Sequence, residues 1–125
     1  MGAAVYQMEF YESVTETDKL IVRSMLRRYP KMKLTVDLLS GKERNERQQA
    51  LYIDWKTKVE EIELAVNLIM DKEVKELIEY RFIKGHPRKA AVVKFRLITD
   101  RSVDRWIDEG IESIASTLKL MGPIT

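Results

Sequence analysis

Leu97-Ile98-Thr99-Asp100-Arg101-Ser102-Val103-Asp104-Arg105-Trp106 reads as a turn followed by the opening of a helix. Thr99 suits the N-cap, because its hydroxyl can accept the otherwise unpaired N–H of Arg101 or Ser102. Asp100 then falls in the first turn, where a carboxylate meets the positive end of the helix dipole. Ile98 and Val103 are apolar at the two places that pin such a turn onto the preceding helix. Arg101, Ser102, Asp104 and Arg105 point outward between them. This is the pattern of the second helix of a helix-turn-helix, whose first turns reach base edges in a major groove.

The flanking sequence supplies the other helices. Upstream, Val74, Leu77, Ile78 and Phe82 form an apolar stripe on a helix over 72–84, with Asp71 as its cap or as a break before it and Gly85 as its end. Pro87 suits the first position of a helix over 87–96, where its missing N–H costs nothing. The last helix spans 100–120, with Val103, Ile107, Ile111, Ile114 and Leu118 inward and Gly122-Pro123 as its stop. These three helices make a tri-helical unit over residues 72–125.

Residues 1–71 form a helical N-terminal region. Thr15 or Thr17 caps a helix with the stripe Ile21, Val22, Met25, Leu26 and Tyr29, and Pro30 is expected to end it. Residues 30–44 read as a connector. Residues 43–70 hold no Gly or Pro, and Leu51, Trp55, Val59, Ile62, Val66 and Ile69 recur at steps of three and four. The pattern predicts one long helix, about 40 Å if continuous. Such a seam is satisfied by folding back or by pairing with a second copy. Pairing is the expectation, with Trp55, Val59, Ile62 and Val66 at a homo-oligomer interface. The aromatic segment over residues 1–14 is expected to pack as an ordered arm. The fold class is therefore all-α.

Bulk composition narrows the chemistry. The chain has 125 residues, no Cys and one His, which excludes disulfides, thiolate chemistry and His/Cys metal sites. His86, between Gly85 and Pro87, reads as a surface or capping residue. Glu60, Glu61 and Glu63 diverge around a helix and do not form a cage. There is no Gly-rich phosphate loop. No catalytic residue, metal or cofactor is therefore expected. No secretory signal or apolar span is apparent, and the absence of Cys fits a reducing cytoplasm.

Net charge is only +2, but its distribution is uneven. Lys84, Arg88, Lys89, Lys94, Arg96, Arg101 and Arg105 face two acids over 84–105, a net +5. Residues 59–80 carry seven acids and two lysines, a net −5. The basic block coincides with the tri-helical unit, which points to double-stranded DNA as the partner. The candidate DNA-binding residues are Arg88, Lys89, Lys94, Arg96, Thr99, Asp100, Arg101, Ser102, Asp104 and Arg105. A second basic group, Lys19, Arg23, Arg27, Arg28, Lys31 and Lys33, is either another phosphate-contact surface or a solvated helix face.

Two segments, VKELIEYRFIKG (residues 73–85 less Glu73) and LITDRSVDRWIDEGIESIASTLKLMG (97–122), together with YPKMK after a basic helix, carry a resemblance. They resemble the phage-encoded RinA/ArpU group of late-gene transcriptional regulators of Gram-positive hosts, whose tail is similar to region 4 of sigma factors. The likeness is most specific over 72–122. It implies a cytoplasmic regulator in a bacterial host that binds DNA near late or packaging genes and activates transcription there. By motif, Thr99 is the cap, Arg101 and Ser102 lie in the reading turn, and Arg105 contacts base or phosphate. Leu97 stands where such a turn commonly carries Gly, so either the turn is of another type or the preceding helix is displaced by one residue. Rival readings are a small terminase-like packaging factor and a helical adaptor that binds host RNA polymerase.

Overall fold

The structure, a computed structural model, describes residues 13–96 and 99–124, and only the backbone of Asp100. The expectations for the segment 1–12, for Leu97 and for Ile98 lie outside the described residues. Those residues form five α-helices and one π-helical turn, with no strand among them. The fold class is all-α.

Helix α1 spans Glu16–Leu39. Thr15 and Asp18 cap it reciprocally: the Thr15 hydroxyl accepts from the Asp18 N–H at 3.1 Å, and the Asp18 carboxylate accepts from the Thr15 N–H at 2.9 Å. Pro30 does not end the helix, contrary to expectation. The ring removes one backbone bond and costs about 3 kcal/mol. Beyond it, however, Met32 and Val36 continue the stripe of Val22, Leu26 and Tyr29 and are buried. At about 1.5–3 kcal/mol per buried side chain, those two residues offset the proline. What reads as a connector over 30–44 is therefore mostly helix, and the joint shrinks to 40–45, with Gly41 at φ +77°.

Helix α2 spans Glu46–Asn67, shorter than the expected 43–70. Asn45 and Gln48 form a second reciprocal cap, at 2.8 and 3.0 Å, and fix the start. The seam of α2 is satisfied by folding back. Val59, Ile62 and Val66 are buried within one chain and Trp55 packs half-buried on the same core. Val59, Ile62 and Val66, almost without accessible surface in the lone chain, are thus not available to a second copy as the oligomer-interface expectation required, whereas Trp55 keeps part of its surface. Tyr29 of α1 meets α2 by donating to the Glu63 carboxylate. Burial, then Glu63, pushes its phenol well above the ordinary tyrosine value.

Helix α3 (Lys72–Ile78) starts on Asp71, whose carboxylate accepts from the N–H groups of Glu73 and Val74. It runs into a π-helical turn over Glu79–Ile83, closed by the Lys84 N–H on the Glu79 carbonyl at 2.8 Å. The extra residue rotates the apolar stripe. Val74, Leu77 and Ile78 are buried, whereas Phe82 is only half-buried. Gly85, at φ +78°, ends the element.

Helix α4 is shorter than the expected 87–96, at Arg88–Lys94, and Pro87 sits at its N-cap rather than inside its first turn. Helix α5 spans Asp100–Met121 and ends at Gly122, φ +105°. All five expected inward residues of α5 are buried, together with Ala115. Gly110 lies against α3: a Cβ there would fall on the Ile78 side chain and within 3.2 Å of Val74 Cγ1. The two helices pack closely at that point. Buried residues from Val22 to Ile124 form one cluster, so the N-terminal helices and the C-terminal three share a core.

Candidate nucleic-acid interface

The start of α5 is built as the capping chemistry dictates. Thr99 has extended backbone angles, and its hydroxyl accepts from the Ser102 N–H at 3.2 Å and donates to the Ser102 hydroxyl at 3.1 Å. Val103 and Ile107 are buried, which anchors the inward side of the first two turns. Arg101 and Arg105, one turn apart, are exposed. Neither has an ion pair or hydrogen bond among the described residues. Trp106 is half-buried against the core, a packing role.

Asp104 lies beside Arg105 in sequence but turns to a different partner. Arg88, at the start of α4, holds it with two parallel bonds: Nε to Oδ1 at 2.8 Å and Nη2 to Oδ2 at 2.9 Å. That guanidinium keeps the Asp104 carboxyl below the usual carboxylate range. The pair ties α4 to the second turn of α5 and, among the described residues, leaves Arg101 and Arg105 without an internal carboxylate. Further along the same flank, Asp108 takes Lys19 at 3.1 Å and Arg23 at 3.2 Å, both from α1. Asp108 raises the Lys19 pKa in turn.

Of the basic block, Lys84, Lys89, Lys94, Arg96, Arg101 and Arg105 are exposed and Arg88 is half-buried. The Lys94 ammonium lies 5.4 Å from the centre of the Tyr80 ring. Tyr80 stacks on His86 at 4.0 Å and meets Phe95 edge-on at 5.9 Å. His86 is thus an aromatic brace, with its backbone N–H on the Tyr80 carbonyl. Sequence reasoning missed this brace, although the Tyr80, His86 and Phe95 ring types carried the signal. It also missed Arg81, because the π turn breaks the 3.6-residue period there.

The second basic group divides. Lys19 and Arg23 are bound to Asp108, and Lys33 lies near Asp37 and Glu63. Arg27, Arg28 and Lys31 are exposed. Among the described residues no three acidic or histidine side chains converge as a metal cage, and no helix is long and apolar enough to cross a membrane. Compared with family models, curated proteins and solved structures, the chain matches none.

Proposed function

We propose that this chain is a sequence-specific DNA-binding regulator of transcription, acting on phage or prophage late or packaging genes. In this reading α4 and α5 work as a helix-turn-helix and α5 is the recognition helix. The observation that carries it is the capped start of α5, where Arg101 and Arg105 project from a turn whose inner side is anchored by Val103 and Ile107. Arg is the residue whose forked donors suit guanine O6 and N7. Asp104 does not oppose this, because Arg88 neutralises it. Lys89, Lys94 and Arg96 supply cations for phosphates nearby in the chain. The gene class rests on the resemblance over 72–122 alone.

The test is footprinting on the DNA flanking the chain's own gene, followed by binding of the protected duplex and of random duplex. Preferential, salt-sensitive binding lost in Arg101→Ala supports the reading. Absence of any duplex binding at low salt overturns it and favours the polymerase-binding adaptor. The exposed Leu34, Leu38, Leu64 and Leu68 are the specific feature behind that second reading, since phosphate and base edges have no use for them.

A further inference from the structure

A groove of about 350 Å³ opens between α1, the π turn and the start of α4 and α5. Four guanidinium groups line it: Arg23 and Arg27 from α1, Arg81 from the π turn, and Arg88 from α4. Asp104 is the only carboxylate in its lining among the described residues. It is engaged by Arg88, and Arg23 shares Asp108 with Lys19. That leaves Arg27 and Arg81 with no carboxylate among the described residues. Arg27 is exposed. Arg81 donates from Nη1 to the neutral carbonyl of His86 at 3.2 Å, and its cation lies 5.0 Å over the Phe82 ring. Its Nε is buried and has no hydrogen-bond partner among the described residues.

Arginines kept for structure alone usually find carboxylates, as Arg88 does. Two of the four, Arg27 and Arg81, face the groove with no carboxylate among the described residues, and their mutual repulsion is relieved when an anion enters. A buried donor without an acceptor adds to that cost. An oxyanion offers both the charge and the acceptors, and guanidinium forks match phosphate oxygens. We propose that the groove is a phosphate site that clamps one backbone phosphate of the nucleic acid whose bases α5 reads. The clamp rests on the DNA-binding reading, whereas the affinity of the groove for phosphate does not. Asp104 weakens that affinity as a negative charge in the lining.

The full chain, with arginine Nε labelled with ¹⁵N, is titrated with inorganic phosphate and followed by the Nε–Hε resonances. Saturable shifts at Arg27 and Arg81, weakened at least several-fold in Arg27→Gln and strengthened in Asp104→Asn, are expected. Shifts that stay linear, or are equal at the exposed Arg47, overturn the phosphate site. Duplex binding is then measured against salt. Arg27→Gln is expected to weaken cognate and random duplex by the same factor and to lower the salt slope by about one. If phosphate saturates the groove but Arg27→Gln leaves duplex affinity unchanged, the clamp is overturned and the groove serves a free phosphorylated ligand. If the wild-type chain binds no duplex, the DNA reading falls along with the clamp, and the phosphate titration alone decides the groove.

Discussion

Arg101 and Asp104 show how one helix turn holds opposite charges for different purposes. Asp104 is held by Arg88, whereas Arg101 has no partner among the described residues. Under the proposed DNA-binding reading, Arg101→Ala is expected to cost about 1–3 kcal/mol on a cognate duplex and to relax preference at one position. Lys89→Ala should weaken all duplexes alike and reduce the salt slope by about one. Anisotropy titrations on selected and random duplex separate the two outcomes. Thr99→Ala removes the cap and should destabilise the fold by about 1 kcal/mol in urea unfolding. Asp18 gives the chain an acid-sensitive point. It is almost fully buried, accepts from Lys119 at 2.8 Å and from the Thr15 N–H, and is held below its ordinary value of 3.8, chiefly by Lys119. A depressed carboxyl contributes stability that is present above the unfolded pKa and lost as pH falls through the folded one. Urea midpoints should therefore drop as pH falls below about 4, and by less in Asp18→Asn. An unchanged acid dependence in that variant contradicts the assignment.

Among the elements, α1 and α5 carry the opposing lessons of Pro30 and Gly110. Both residues weaken an isolated helix, yet only one is dispensable here. Pro30 is exposed, so Pro30→Ala restores a backbone donor without disturbing the packing. It should raise stability by up to about 3 kcal/mol, read as a higher melting temperature. Gly110→Ala should do the reverse. Its helix-propensity gain of about 1 kcal/mol meets a methyl placed on the fully buried Ile78, and overpacking of this kind costs about 1–3 kcal/mol. A more stable Gly110→Ala protein would show that α3 can move away from α5 without loss. The π turn between α3 and α4 has a consequence of its own. By rotating the chain after Ile78, it turns Phe82 partly out of the core and brings Arg81 into the arginine groove.

At the scale of the whole molecule, one core joins the helices of the N-terminal region to those of the basic region. Ile62 is at its centre, with no accessible surface. Ile62→Glu should therefore unfold the chain, because an unpaired buried charge costs several kcal/mol. Circular dichroism combined with sedimentation checks this. A folded, fully helical monomer would return the α2 seam to the role of an interface between copies. Long-range pairs close the same body electrostatically: Lys119 meets Asp18 across 101 residues of chain, and Asp108 meets Lys19 across 89.

The sequence by itself determined what short-range physics controls. The caps at Asp71 and Thr99, the glycine stop at Gly122 and the inward stripe of α5 all follow from side chains within one or two turns of each other, so they are legible residue by residue, whereas the choice between Thr15 and Thr17 for the first helix was left to the structure. The exposed Arg101 and Arg105 are legible for the same reason, since the buried stripe fixes the opposite face. Tertiary structure decided what depends on distant partners. Whether α1 survives Pro30 turned on the burial of Met32 and Val36. Whether the α2 seam meets its own chain or another copy turned on α1 folding back. Arg88 found Asp104 sixteen residues away, and Arg27 and Arg81 came to one groove from separate helical elements. Periodicity carries no information about such meetings, because it records which face of a helix is apolar and not which surface that face will find.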